Sequence, residues 1–339
     1  MTDAPRVAVI LAGGLGTRLR PLTLQTPKGL LPVINRPLLS YELEWLARAG
    51  VERVILAVAE HAEVLEAGLG LEFQGMELVY RAEPERLDTA GALQNAAGDL
   101  DETFWALNGD LIFDFDPEPM GAAHRAASAV LTIALRQVED VSAYGLIHRD
   151  DAGRVTAFLE KQAEDPTGQN TVNFGLYLME PAALASVPAG QSYSNEVDLF
   201  PGLVASGATV LGYLPEQILY WLDVGRVGMY LKANHDLLGG ALPWVTREIS
   251  PEAKIYGGAI AVLPCDLAAT CIVEPGAVVG PYVSMAPGAF VDSDAWVRDC
   301  VLHEGARVGR GARLVRVVVA AGQVVPPGHE QTGGVFYCE

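Results

Sequence analysis

Val7-Ala8-Val9-Ile10-Leu11-Ala12-Gly13-Gly14-Leu15-Gly16-Thr17-Arg18-Leu19-Arg20-Pro21-Leu22-Thr23 is followed closely by Pro27-Lys28-Gly29-Leu30-Leu31-Pro32-Val33. A continuous aliphatic run of strand length that ends in glycines reads as a central parallel strand feeding a loop. Gly13, Gly14 and Gly16 are expected to supply positive φ and bare backbone, so that main-chain N–H groups reach phosphate oxygens. Arg18 adds a planar fork of donors and Lys28 a point charge. A Walker A loop needs Lys-Ser/Thr directly after its last glycine, where Thr17-Arg18 stand here. A dinucleotide fingerprint needs a third glycine where Leu19 sits and a helix that Pro21 does not interrupt.

The stretch resembles, nearly residue for residue, the signature G-G-x-G-T-R-L-x-P-L-T … P-K-x-L-L-P-V of the sugar-1-phosphate nucleotidyltransferases, the nucleotide-sugar pyrophosphorylases. That resemblance implies nucleotide binding by Leu11, Ala12, Gly13, Gly14, Gly16 and Thr17, and charge neutralisation of the triphosphate and departing pyrophosphate by Arg18 and Lys28.

The composition fits an enzyme of this kind. At 339 residues the chain exceeds a typical single domain. Half its residues are apolar, yet no apolar run approaches the roughly 20 residues of a membrane span. Residues 1–6 lead straight to a strand, so no leader is expected. Four cysteines without C-x-x-C spacing argue against a zinc site or a disulfide framework, and a cytoplasmic location is expected. A net charge of −19 disfavours nucleic acid and anionic membrane as partners.

Strand-like and helix-like segments alternate through the first two thirds. Strands are predicted at 7–11, 54–58, 77–80, 104–107, 130–135, 145–148, 155–159 and 172–179, and helices at 38–49, 62–68, 90–97, 119–127, 196–206 and 228–238. Such alternation predicts an α/β fold with a Rossmann-like, mostly parallel sheet, whose ligands bind at the carboxyl ends of its strands.

From Ile255 the period changes. Aliphatic residues recur every sixth position at Ile255, Ala261, Leu267, Val273, Val279, Met285, Val291 and Val297. Small or β-branched residues follow each by four, at Ala259, Cys265, Cys271, Ala277, Val283, Ala289, Ala295 and Val301. The register slips by one at His303 and resumes with Leu302, Val308 and Leu314, paired with Ala306, Ala312 and Val318. Hexads in phase predict a parallel β-helix with Cys265 and Cys271 packed inward, and they resemble the left-handed β-helix at the C-terminus of many pyrophosphorylases. Cys300 and Cys338 fall outside the frame. The expected organisation is a catalytic domain at 1–238, a linker at 239–251, a left-handed β-helix at 252–326 and a tail at 327–339. The β-helix, with flat faces and open ends, is expected to mediate a homo-oligomer.

Attack of a sugar-1-phosphate oxygen on the α-phosphorus of a nucleoside triphosphate needs no protein nucleophile, because the attacking group is already an anion. It needs cations and a divalent metal held by carboxylates. Asp110, in Leu107-Asn108-Gly109-Asp110, follows a predicted strand; Asp223 lies in Tyr220-Trp221-Leu222-Asp223-Val224-Gly225. By resemblance these two bind Mg²⁺, a hard cation suited to a few carboxylates plus phosphate oxygens, and Gly109 lies by the nucleotide. Phe158-Leu159-Glu160-Lys161 matches the family's E-K-P element except for Gln162 in place of proline. It implies Lys161 on the sugar phosphate and Glu160 on a sugar hydroxyl. Tyr144-Gly145 and Asn173-Phe174-Gly175 match two further sugar-site elements, with Gly145 and Gly175 admitting the ring and Asn173 bonding a hydroxyl.

Leu87-Asp88-Thr89-Ala90-Gly91-Ala92-Leu93 resembles the G-T-A-G-A-L segment of the guanylyltransferases, with Asp88 in place of glycine. Asp88 either reads guanine, alongside Thr89, or caps the following helix. The resemblance thus implies nucleotidyl transfer to a sugar-1-phosphate, with GTP and mannose-1-phosphate favoured. Thymidylyl, uridylyl or adenylyl transfer on the same fold, a non-catalytic nucleotide-sugar-binding paralogue, and a bifunctional enzyme using His303 for acyl transfer are the alternatives.

Overall fold

The computed structural model describes residues 4–142, 145–159 and 164–338. The chain forms two compact units. One comprises Met1–Gly14 with Tyr41–Ile218, the other Leu15–Ser40 with Leu219–Glu339.

The first unit is built on a ten-stranded sheet. Val7–Leu11 lies at its centre, parallel to Arg53–Val58 on one side and to Phe104–Asn108 on the other, and Met76–Ala82 extends the parallel set beyond Arg53–Val58. Val7–Leu11, Arg53–Val58 and Phe104–Asn108 are covered on both faces and read as apolar runs, whereas Met76–Ala82, nearer the edge, carries exposed residues such as Glu77. Helices α1 (Leu39–Arg48), α2 (Ala62–Leu69) and α3 (Asp88–Ala97) fall between them in sequence, and α4 (Glu118–Ala127) follows Phe104–Asn108. On one face, α3 buries Ala90, Leu93 and Ala96 in a core with Val9, Ile55, Ala106 and Phe200. In the same unit Trp45, Trp105, Phe113, Phe115 and Phe174 interlock, with the Trp45 and Trp105 rings edge-on at 5.3 Å and the Trp45 indole N–H donating to the Phe115 carbonyl.

Beyond Leu131 the pairing turns largely antiparallel. Thr171–Met179 runs antiparallel to Phe104–Asn108, to Leu131–Gln137 and, through one pair, to Leu146–Arg149, while Val210–Tyr213 returns parallel to Leu131–Gln137. The helix predicted at 196–206 is two elements: a wide π turn over Asn195–Leu199, whose first N–H groups Ser194 Oγ accepts, and then α5 (Phe200–Ala205).

The second unit carries α6 (Val227–Leu238) and three parallel five-stranded sheets, an arrangement consistent with a left-handed β-helix. Leu267, Val273, Val279, Met285, Val291 and Val297 are buried, as are the small residues Cys265, Cys271, Ala277, Ala289 and Ala295 that turn the corners. A bulkier side chain at such a corner would cost roughly 1–3 kcal/mol of overpacking. The register slip lies earlier than the hexads suggest. Cys265 pairs with Val283 and Val283 with Cys300, so the coil shortens from eighteen residues to seventeen at Arg298-Asp299, where Asp299 has a φ of 52°. Cys300, not Val301, fills the inward corner. A second shortening at Arg316 makes Val317 and Val319 the inward pair instead of Val318. The stack runs on to Val335–Phe336, past the expected end at 326. In the segment 239–251, expected as a linker, Leu242 and Val245 are buried, and Ile249 bridges Leu267.

Candidate active site

In the first unit the parallel strands end together, and the predicted nucleotide segment lies along that edge. Leu11 pairs with Asn108 and with Ala57, and Ala12 N–H carries the ladder one residue further to the Ala57 carbonyl at 2.8 Å. Gly109 N–H donates to the Leu11 carbonyl at 3.0 Å; a Cβ on Gly109 would stand 2.7 Å from that same oxygen, so a side chain is excluded there. Asp110 follows immediately, at the carboxyl end of its strand as expected, with its N–H on the Asn108 carbonyl. Of the three glycines expected to supply positive φ, Gly16 alone does so. Gly13 instead permits close approach, because a Cβ there would meet Glu83 Oε1 at 2.8 Å and Ala59 N at 3.1 Å, while Gly14 faces open space. Among the described residues the N–H groups of Gly13, Gly14, Leu15 and Gly16 donate to no main-chain carbonyl. Such successive N–H groups are suited to an anion.

Asp88 opens α3 with a φ of 58°, a left-handed position that glycine tolerates best and that aspartate adopts more readily than most residues. Its Oδ1 accepts the Thr89 N–H at 2.6 Å. This is a local first-turn contact, and the side chain remains exposed. The Thr89 hydroxyl oxygen accepts the Asn195 N–H at 2.7 Å, and Ala90 and Gly91 both donate to the Tyr193 carbonyl. The Thr89 side chain is therefore engaged in holding the 193–195 segment.

Asn173 stands on the strand neighbouring Asn108. Its Nδ2 donates to the Tyr177 hydroxyl at 2.9 Å and to Glu196 Oε1 at 3.0 Å, and its Oδ1 accepts the Gly175 N–H at 2.9 Å. Gly175, at a φ of 91°, turns the bare side of its Cα to the Asn108 amide; a Cβ would lie 3.0 Å from Asn108 Nδ2. Burial holds the Tyr177 phenol well above its ordinary range, the Glu196 and Asp110 charges reinforcing this while hydrogen bonds with Asn173 and Asn108 oppose it. Asn108, Asp110, Asn173, Tyr177 and Glu196 thus form one polar group at the strand ends. Gly145 lies beside the last residue of Val155–Leu159, a Cβ there being 3.4 Å from the Leu159 carbonyl. Tyr144, Glu160 and Lys161 lie outside the described residues.

The remaining predicted residues belong to the second unit. Gly16, left-handed at 57°, starts a 3-10 turn at Thr17–Leu19 that buries Leu19 and leaves Thr17 and Arg18 exposed. Thr23 Oγ1 and Leu19 N–H both donate to the Gly16 carbonyl at 2.8 Å. A Cβ on Gly16 would touch Thr23 Cγ2 at 2.9 Å and Lys28 Cβ at 3.4 Å, so the glycine lets the two halves of the signature close on each other. Lys28 opens a second 3-10 turn, Lys28–Leu30. Asp223 ends the strand Tyr220–Asp223, and Gly225 faces both Asp223 Oδ1 and the Arg18 guanidinium, at 2.9 and 3.2 Å from where its Cβ would be. Among the described residues no group of three or more His, Cys, Asp or Glu side chains could hold a metal. The carboxylates of Asp110 and of Asp223 are each hard oxygen donors of the kind that a divalent cation accepts beside phosphate oxygens.

His303 is buried, with Nε2 2.9 Å from the Tyr230 hydroxyl, and burial lowers its ring to about 4. It is not open to an acyl donor. Glu83, Asn108, Tyr177 and Glu196 were not selected from sequence. Asn108 lies inside the Leu107-Asn108-Gly109-Asp110 motif, Tyr177 within the strand predicted at 172–179, and Glu196 at the start of the helix predicted at 196–206, while Glu83 carries no signal. Among the described residues no helix is long and apolar enough to cross a membrane.

A sequence profile for nucleotidyl transferases matches residues 7–239. The mannose-1-phosphate guanylyltransferase of Mycobacterium tuberculosis is 35% identical over 313 residues, covering 91% of this chain and 83% of that protein. The UTP–glucose-1-phosphate uridylyltransferase of Synechocystis is 31% identical over 339 residues, covering 92% and 86%. Among solved structures, HddC from Yersinia pseudotuberculosis complexed with GMP-PN aligns at a TM-score of 0.58 and 27% identity, covering 67% of this chain and 97% of HddC.

Proposed function

Because the chain belongs to the nucleotidyl transferase family, we propose that it transfers the guanylyl group of GTP to mannose-1-phosphate, giving GDP-mannose and pyrophosphate. The observation that carries this reading is the polar group Asn108, Asp110, Asn173, Tyr177 and Glu196 at the end of the strand whose neighbour feeds the glycine loop. Ligands of open α/β sheets bind at that end.

A phosphate oxygen of mannose-1-phosphate attacks the α-phosphorus in line, a new P–O bond forms, and the bond between the α-phosphorus and the bridging oxygen breaks to release pyrophosphate. The N–H groups from Gly13 to Gly16 hold phosphate oxygens, with Leu11, Ala12 and Gly109 bounding the nucleotide. Arg18 and Lys28 neutralise the triphosphate and the leaving pyrophosphate. Lys161 aligns the sugar phosphate. Asp110 and Asp223 would hold Mg²⁺, which supplies further neutralisation of phosphate charge when bound. Both amide hydrogens of Asn173 are committed, so it orients Glu196 and meets a sugar hydroxyl through its Oδ1 as acceptor; Glu196 and Glu160 accept further sugar hydroxyls, and Gly145 and Gly175 admit the ring. Asp88 reads the base. Similarity to the M. tuberculosis guanylyltransferase and to a nucleotide-bound HddC supports guanine, and similarity to the Synechocystis enzyme keeps UTP with glucose-1-phosphate as the second reading. The unpaired thiols fit a cytoplasmic enzyme, and the outer faces of the β-helix fit self-association.

Incubation with GTP, mannose-1-phosphate and Mg²⁺, followed by phosphorus NMR, tests the reading. Equimolar GDP-mannose and pyrophosphate support it; GDP and free phosphate, or unchanged substrates, refute it.

A further inference from the structure

Lys28 is followed by a hairpin, Pro32–Val33 against Arg36–Pro37, closed by Ile34 and Asn35 at φ values of 45° and 55°. Two left-handed residues make a type I′ turn. Asparagine suits such a turn, but β-branched isoleucine is strained there and must be held by its surroundings.

The holding contacts all come from the same unit. Ile34 N–H donates to Asn234 Oδ1 on α6 at 3.0 Å, and Asn234 Nδ2 donates to the Tyr230 carbonyl. Asn35 Nδ2 donates to Asp266 Oδ2 at 2.6 Å and to the Met285 carbonyl at 3.0 Å, both on strands of the β-helix. The other Asp266 oxygen accepts the Glu248 N–H. The Tyr230 hydroxyl donates to the Pro32 carbonyl, so toward His303 it can only accept, and the His303 proton sits on Nε2. The hairpin is joined to Lys28 at once, since Leu31 N–H donates to the Lys28 carbonyl and Leu38 N–H to the Leu31 carbonyl.

We propose that α6 and the β-helix, through Tyr230, Asn234, Asp266 and His303, form a clamp on this hairpin that positions Lys28 for the phosphates. These four are positioning residues, and the β-helix has a part in turnover apart from any in assembly. The inference rests on the phosphate-neutralising role of Lys28 given above.

Steady-state kinetics with GTP and mannose-1-phosphate on the full chain test it, using Lys28→Ala, Asp266→Asn, Tyr230→Phe and the combination of Lys28→Ala with Asp266→Asn. Asn35→Gly is a second clamp variant that suits the left-handed turn and so preserves the fold if Asp266→Asn does not. The expected result is a fall in kcat of about tenfold in each clamp variant, with the KM for mannose-1-phosphate unchanged, and a further change of less than twofold when Asp266→Asn is added to Lys28→Ala. Clamp variants with parental kcat, or an Asp266→Asn effect equally large in both backgrounds, would overturn the clamp while leaving the Lys28 role standing. A Lys28→Ala variant with full activity would instead overturn the role of Lys28 and the clamp with it.

Discussion

Asn173 holds Glu196 through a 3.0 Å hydrogen bond and spends its other amide hydrogen on Tyr177. The amide therefore sets the direction of the carboxylate and has no hydrogen left for a ligand. Glu196→Gln should raise the KM for mannose-1-phosphate about tenfold or more, the usual effect of weakening a hydrogen bond to a charged group by 1.5 kcal/mol or above. The KM for GTP should stay within twofold. Asn173→Ala should show the same pattern, and initial-rate kinetics with each substrate varied in turn check both.

Asp110 and Asp223 carry the metal in this account. Asp110→Asn and Asp223→Asn should each lower kcat by roughly 100-fold or more, as losing one electrostatic stabiliser commonly does. Far-ultraviolet circular dichroism should show the fold intact. Full turnover in either variant would mean that the metal is held elsewhere.

His303 makes stability depend on pH. Its ring is lowered from 6.5 to about 4 by burial, so between those values the unfolded chain binds a proton that the folded chain refuses. Stability is therefore lost as pH falls from about 6.5 toward 4. At pH 4.5 the loss from this group is about 2 kcal/mol. Urea unfolding at pH 7 and 4.5 should show a smaller difference in His303→Gln than in the parent chain, and equal differences would remove His303 from the acid response.

The thiols differ in reactivity. Burial pushes Cys265 and Cys271 up to about 11 and Cys300 up to about 12, whereas Cys338 is exposed. A thiolate-selective aromatic disulfide at pH 8 should therefore modify one thiol per native chain, and all four in denaturant. Rapid modification of two or more in the native state would contradict the packed corners of the β-helix.

Substitution of Asp88 by Asn separates base reading from a structural contact. Asn keeps an oxygen for the Thr89 N–H and tolerates a φ of 58°, but loses the carboxylate that would accept from guanine. The ratio of kcat/KM for GTP over UTP should fall about tenfold. An unchanged ratio would leave Asp88 as a turn residue.

Much of this architecture is written in local pattern. Val7–Leu11 is buried on both faces and so reads as an unbroken aliphatic run, and the inward hexads of the β-helix repeat because each corner admits only a small side chain. What escaped lacks such a pattern. The coil shortenings at Asp299 and Arg316 keep nearly the same run of small and aliphatic residues, so the choice of Cys300 over Val301 rests on pairing with Val283 alone. Val210–Tyr213 and Tyr220–Asp223 are four-residue strands with no clear alternation. In the site, Asp110 was legible because a carboxylate after a strand lies where ligands bind. Glu196 was not, because it meets Asn173 only across 23 residues of chain that carry no common pattern.

The most direct measurement is pyrophosphate release with Mg²⁺ from GTP, ATP, dTTP, UTP and CTP, each paired with mannose-1-phosphate and with glucose-1-phosphate. The account predicts release from GTP with mannose-1-phosphate and little from any other pair. Release with UTP and glucose-1-phosphate alone would contradict the guanylyl assignment, and no release from any pair would contradict the account as a whole.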